Sequence, residues 1–393
     1  MNNRKIITAI LLAASILLLI PACTPYVEKK RAAKMKWDKV SAQAKVVVAE
    51  DLFRNGRYDD ALTTVRQCLD SDPELPGAHL VLGKIHYAQG RFAQAQSSLV
   101  QAVGYDDKMH EGWYWLGEIS AYNRLPDQAL EYYNRALALM PMNTDYIVAV
   151  VETFASQGRY EEALGLLNEK TLLLPGNITL KVSKADLLQR MGQITDAIST
   201  YNQALMLDPV NADIAEALGY CYIAQQNYHD SSRMFQIVVK NSTGDKKTAC
   251  LEMLALCSMN GGEYGKAVGY YDELSLSKRN DEELWLKMGQ AALGAGSSSR
   301  AAVCASRALE LRPGWHEAIA LRGCAQYLGG DYDTAVTTFS KITTNSNLSG
   351  FAWLMSGRCY QQLGQHVLAD KAYENASRLN PQSKLVSLLM ENR

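Results

Sequence analysis

The first residues to weigh are those whose types and spacing could do chemistry. His79 and His86 stand seven apart, which puts them on one helical face and would suit a metal pair. No Cys or carboxylate stands at ligand spacing in that helix, so two buried, hydrogen-bonded histidines are the better expectation. The glycine-rich "LGAGSSSRA" at 293–301 lacks the Gly-Lys-Ser/Thr ending that a phosphate-cradling loop needs. "HEAIA" at 316–320 opens like a zinc-hydrolase pattern but has no second His. There is no Gly-x-Ser-x-Gly and no Cys/His pairing of known spacing. The expectation is therefore no catalytic residue, no metal, no cofactor and no enzyme.

Charge narrows the classes further. The 393 residues carry a net charge of −1, unevenly spread. The first 45 residues hold nine Lys/Arg against two Asp/Glu, leaving 31 basic against 39 acidic residues in the body. An acidic body argues against nucleic acid, which needs a basic face to displace counterions from phosphate. At 48% apolar residues the chain is too hydrophobic for a disordered one.

Cys23 needs its own account. Arg4 and Lys5 precede an uncharged, mostly apolar run, Ile6 to Ile20, followed by Pro21, Ala22 and Cys23. That is the anatomy of a secretory signal, and it is short for a membrane span of about 20 residues. The stretch Ile20-Pro21-Ala22-Cys23 resembles the bacterial lipobox; Ile20 and Ala22 carry the match and Pro21 departs from it. The resemblance implies cleavage after residue 22 and lipid on Cys23. One acyl chain holds only marginally, whereas several on one residue anchor firmly. Thr24, where an Asp would imply retention at the inner membrane, implies the outer membrane, facing the periplasm of a bacterial envelope. A plain signal peptide cut nearby is the alternative.

Beyond it the chain repeats. "GRYDDA" starts at Gly56, "GRFAQA" at Gly90, "GRYEEA" at Gly158, "GQITDA" at Gly192, "GEYGKA" at Gly262 and "GDYDTA" at Gly330. The first four starts differ by multiples of 34, and Pro141, Pro175 and Pro209 keep the same beat. Residues 110–143 place Trp113, Leu116-Gly117, Ala129, Tyr133, Ala136 and Pro141. This pattern resembles the tetratricopeptide repeat over nearly the whole mature chain. The fold it implies is all-α, a right-handed superhelical solenoid of about ten helical hairpins. Repeats start at residues 42, 76, 110, 144, 178, 212, 248, 282, 316 and 350, with a two-residue insertion near Lys246. Gly lets the chain turn between two short helices, small Ala lets them approach, and Pro closes the unit. One such hairpin cannot bury its apolar face alone, so the units must stack.

The expected organisation is a signal peptide at 1–22 and a lipid-anchored tether or leading helix at 23–41. Repeats one to six follow at 42–245, repeats seven to ten at 246–383, and a closing helix at 384–393. Arg124-Leu125-Pro126 and Gln226 stand where Gly opens the turn elsewhere, and Ser231 stands where Ala is expected. "KNSTGDKK", 240–247, lacks the closing Pro and is either a break between two sub-superhelices or a longer turn. The leader from about Tyr26 has no Gly or Pro and reads as one helix. Its charge of +5 over residues 24–45 suits a solvated spacer better than a surface for anionic headgroups. Seven cysteines remain besides Cys23, an odd number. Neighbouring helices pack about 8–10 Å apart while a disulfide needs Cα atoms within about 7 Å. Buried thiols are expected, and Cys304 with Cys324 is the pair to check.

In the resembled family the first helix of each repeat lines the concave face. Carried over by position, one row reads Glu50, Lys84, Glu118, Glu152, Asp186, Tyr220, Leu256, Gln290, Cys324 and Arg358, flanked by Tyr87, Tyr114, Tyr122 and Tyr327. Carboxylates Glu50, Glu118, Glu152 and Asp186 with Tyr87, Tyr114, Tyr122 and Tyr220 form the candidate partner groove. It suits a protein or peptide with a basic or aromatic segment, because tyrosine offers large area at low entropy cost. The positions that hold a C-terminal carboxylate in chaperone-tail clamps carry Val46, Leu80, Glu50 and Glu118 instead. The function these readings imply is a lipid-anchored periplasmic scaffold in assembly of an envelope machine for pilus, secretion or exopolysaccharide export. A carbohydrate-binding module or enzyme accessory subunit on the same solenoid is the alternative.

Overall fold

The computed structural model describes residues 3–344 and 346–381, with side chains from residue 26 onward. Among them the chain forms twenty helices in tandem and no strand. The side chain of Cys23 and the expected closing helix at 384–393 lie outside the described residues. The helices fall into two compact units, residues 1–187 and 188–393.

In the first unit a long leading helix, α1 (Asn3–Arg54), runs into the first repeat. It is followed by α2 (Tyr58–Ser71), α3 (Pro76–Ala88), α4 (Phe92–Tyr105), α5 (His110–Tyr122), α6 (Pro126–Leu139), α7 (Thr144–Ser156) and α8 (Tyr160–Leu173). Helix α9 (Ile178–Arg190) ends the unit at its residue 187. The second unit continues with α10 (Ile194–Leu207), α11 (Ala212–Ala224), α12 (Tyr228–Asn241), α13 (Gly244–Asn260), α14 (Tyr264–Ser275) and α15 (Glu282–Gly294). It closes with α16 (Ser298–Leu311), α17 (His316–Leu328), α18 (Tyr332–Ser340), α19 (Ser349–Gln362) and α20 (His366–Leu379). Odd-numbered helices open each hairpin, even-numbered ones close it.

The turn inside each hairpin explains its glycine. At Gly90 the backbone is left-handed (φ 72°), its N–H bonds the Tyr87 carbonyl at 2.9 Å, and the Arg91 N–H reaches back to His86 at 2.8 Å. This pair of bonds satisfies carbonyls that a helix end leaves open. Arg124 and Gln226 keep the same turn with φ 59° and the same bond pattern, at the cost of a left-handed backbone with a side chain. The alanine three residues after each turn's aromatic position is fully covered: Ala61, Ala95, Ala129, Ala163 and Ala197 are all 0% exposed. Ser231 fits in that position because its hydroxyl donates to the Gly219 carbonyl at 3.0 Å. Gly83, Gly117, Gly219, Gly323 and Gly357 mark a second close contact. A Cβ at Gly117 would lie 2.5 Å from the Tyr133 ring, and one at Gly323 2.6 Å from the Phe339 ring.

The insertion near Lys246 lengthens a helix. Helix α13 starts four residues early, at Gly244, and is 17 residues long where most opening helices have 13. One apolar core runs through this segment, joining Phe235 and Val238 to Cys250, Leu251 and Leu254. The missing proline thus allows helix where other repeats have a loop. The Ser/Thr/Asn-rich stretch after α18 does the opposite: α18 stops at Ser340 after nine residues.

Among the described residues all seven cysteines are free thiols. Burial pushes Cys304 and Cys324 up to about 11. It pushes Cys359 up to about 12, with the neighbouring Cys324 adding to the shift. They remain protonated at neutral pH and are poor nucleophiles. His79 is buried and its Nε2 lies 2.8 Å from the Pro73 carbonyl. Burial, then Arg91 and Arg66, holds His86 below its usual value. No group of three or more His, Cys, Asp or Glu among the described residues is placed to hold a metal ion.

Candidate partner-binding recess

The site is built from the opening helices of the first unit. Asn143 caps α7, accepting from the Asp145 and Tyr146 N–H groups at 3.0 and 3.3 Å, and so fixes where that helix presents its first turn. From there Asp145, Val148, Ala149 and Glu152 face Tyr114, Glu118 and Ala121 of α5 across a recess of about 780 Å³. Tyr133 of α6, with Arg124, Pro126 and Thr179, also lines it. A second recess of about 360 Å³ adjoins it through the shared residues Tyr114 and Asp145. It is walled by Glu50, Phe53 and Arg54 of α1, Lys84 of α3, and His110, Glu111, Trp115 and Tyr146.

Polar groups here are held in place. Lys84, its side chain only 6% exposed, reaches Glu50 at 3.1 Å and also bonds Glu111, so one ammonium ties α1, α3 and α5 together. Tyr133 donates to Glu118 at 2.8 Å. His110 Nδ1 lies 2.7 Å from the Tyr146 hydroxyl. Tyr114 stacks on Tyr146 with ring centroids 5.0 Å apart and contacts Tyr133 at 5.7 Å. Burial first, then the Glu118 carboxylate, pushes the Tyr114 and Tyr133 phenols far above their usual value. Burial, with Glu111 and Asp145 next, pushes Tyr146 up to about 12. The phenols thus stay protonated donors, while the two recesses together carry five carboxylates against Lys84, Arg54 and Arg124. Such a surface is aromatic, preorganised and net negative. It can hold a cationic or aromatic side chain.

A tetratricopeptide repeat model matches residues 49–95, 80–143 and 182–246, and a second matches 352–383. The chain carries tetratricopeptide repeats. Among solved structures it is similar to pilF of Pseudomonas aeruginosa, at 18% identity and a TM-score of 0.43, over 53% of this chain and 94% of that one. It is similar also to PilW, described as a widely conserved type IV pilus biogenesis factor, at 20% identity and a TM-score of 0.48, over 54% and 98%. A curated relative is tetratricopeptide repeat protein 21A of Mus musculus, 28% identical over 118 residues. That match takes in 30% of this chain and spans 8% of the relative's length. Tetratricopeptide proteins bind other proteins, and that is the general kind of partner the repeats offer.

Of the residues singled out by their repeat position, Glu50, Tyr114, Glu118 and Glu152 line the two adjoining recesses. Tyr87 lies beside them, edge-on to Trp115 at 5.0 Å and to Phe92 at 5.4 Å. Tyr122 is exposed and stacks on Phe92 at 4.0 Å. Asp186 is half-buried and lines neither recess. Tyr220 belongs to the second unit, edge-on to Phe235 at 5.2 Å, and burial, then Glu216 and Cys250, raises its phenol. At one end the carboxylates are paired, because Lys84 sits between Glu50 and Glu111 and Arg54 lies 3.4 Å from Glu50. Sequence reasoning missed Tyr146, His110 and Asp145 as part of the wall. The available signal was their place in the first turns of the opening helices, at repeat positions 3, 1 and 2.

Proposed function

We propose that the chain is a lipid-anchored periplasmic scaffold that captures a partner protein by a basic or aromatic segment seated in the first unit's recesses. The observation that carries this reading is the 780 Å³ recess, with tyrosine walls held by hydrogen bonds and a net negative lining. Fixed aromatic walls offer contact area at little entropic cost, and negative charge steers a cationic segment toward them. The signal anatomy ending at Cys23 supports anchorage at the outer membrane, and assembly of a pilus, secretion or exopolysaccharide-export machine is the proposed setting. Binding, not catalysis, is the proposed activity.

A photo-crosslinking residue at Tyr114, activated in intact envelopes, tests the groove. The expected product is a discrete protein adduct that Glu118→Lys with Glu152→Lys abolishes and that weakens with salt. Adducts unchanged by the double charge reversal would rule the recess out. Lipidation is tested apart from this, by labelled palmitate uptake that Cys23→Ala should remove.

A further inference from the structure

The part of α1 with described side chains has two apolar faces. Ala42, Val46, Ala49 and Phe53 pack into the first repeat's core. A second stripe follows the helical steps of seven, four, three and seven residues along Tyr26, Ala33, Trp37, Val40 and Val47, on the opposite side of the helix. Every residue of this stripe is exposed, Trp37 at 72% and Tyr26 at 70%. At 100° per residue, Lys29 and Lys36 border it on one side and Lys30 and Lys34 on the other, all exposed. Glu28 and Asp38 fall on the far side of the helix. Lys39 turns away to Asp72 at 3.2 Å.

We propose that this stripe is a membrane-surface site: α1 from Tyr26 to about Val47 lies along an anionic leaflet, with Trp37 at the acyl boundary. An apolar strip with basic borders and an aromatic at its centre is the chemistry of an interfacial helix. Among the described residues no helix is long and apolar enough to cross a membrane. A second copy is the poorer occupant. Two such faces brought together would set lysines against lysines, with the acids of each helix turned away. Anionic headgroups meet those lysines directly. The proposal does not rest on the groove, and a chain that took up no palmitate could still satisfy it.

The test uses the full chain with vesicles whose acyl chains are brominated. The fluorescence difference between the native chain and Trp37→Phe isolates the signal of Trp37. In vesicles rich in phosphatidylglycerol Trp37 should be quenched, and in phosphatidylcholine alone it should not. Each Lys→Gln change at 29, 30, 34 or 36 should lower the docked-to-free ratio by about fivefold. Absence of quenching in both vesicles, or quenching indifferent to lipid charge, would overturn the proposal. So would a dimer in sedimentation that Trp37→Glu dissolves, which would assign the stripe to a second copy.

Discussion

At one repeat position the first unit sets Glu50, Lys84, Glu118, Glu152 and Asp186, and the second sets Tyr220, Leu256, Gln290, Cys324 and Arg358. Around it the packing is alike in both units: covered alanines at Ala129 and Ala301, and glycines pressed by a ring at Gly117 and Gly323. In the first unit this position builds a connected network, with Lys84 buried among carboxylates and Glu118 accepting from Tyr133. In the second it holds an exposed Leu256, a raised thiol at Cys324 and an Arg358 lying 5.9 Å over the Tyr327 ring. The difference teaches that the hairpin does not need this position for packing. Its residues are free to differ, and binding chemistry can be written there without disturbing the stack.

The largest effect should come from Lys84→Met. It leaves Glu111 without its cation and Glu50 with Arg54 alone, at 3.4 Å, and because both carboxylates reach water the cost should be about 2 kcal/mol, below that of a fully buried pair. Gln290→Met, an exposed change at the same repeat position, should stay within about 0.5 kcal/mol. Hydrogen exchange resolved by segment measures both. Equal losses would break the comparison.

Gly117→Ala and Gly323→Ala press a Cβ into rings that have similar room. Each should destabilise its own unit by about 1–2 kcal/mol in chemical denaturation. Only the first should also reduce partner crosslinking, since it displaces Tyr133 from Glu118. If both reduce it, the recess is not confined to the first unit.

Alkaline titration sharpens the same contrast. Unfolded phenols ionise near pH 10, whereas Tyr114, Tyr133 and Tyr146 are held protonated to higher pH. Their contribution is whole below about pH 10 and is lost as pH rises through the folded values. Glu118→Gln removes the charge that follows burial as a cause, so Tyr114 and Tyr133 should then ionise earlier. Tyr271, raised by burial and then Glu252, should not move. Ultraviolet titration of native and variant chains reads this directly.

The smallest effect is in the turns. Arg124→Gly and Gln226→Gly relieve left-handed strain but loosen the unfolded chain, for a net gain of about 0.5 kcal/mol each. Gly56→Ala, where a Cβ meets nothing within 4 Å, isolates the backbone cost and should lose about 1 kcal/mol. A gain at Gly56 would break the account of these turns.

Most of the hairpin fold was legible from local rules. Gly90, Ala95 and Pro141 each act within a few residues, through backbone freedom, small volume or a missing N–H, so their period places the helices directly. The segment 240–247 was harder, since loss of a proline permits either a loop or more helix. In the fold α13 starts at Gly244, and one apolar core takes in Phe235, Leu251 and Leu254.

The sequence by itself determined a tandem all-α chain, its 34-residue register and the residues each opening helix offers, because these follow from contacts a turn or a hairpin apart. Only the tertiary structure decided what those residues meet. Lys84 is 34 residues from Glu50 and 27 from Glu111, and His110 is 36 from Tyr146. Such pairs form where stacked repeats bring side chains of different rotamers into reach. No local propensity encodes whether a carboxylate there is paired, covered or left to water.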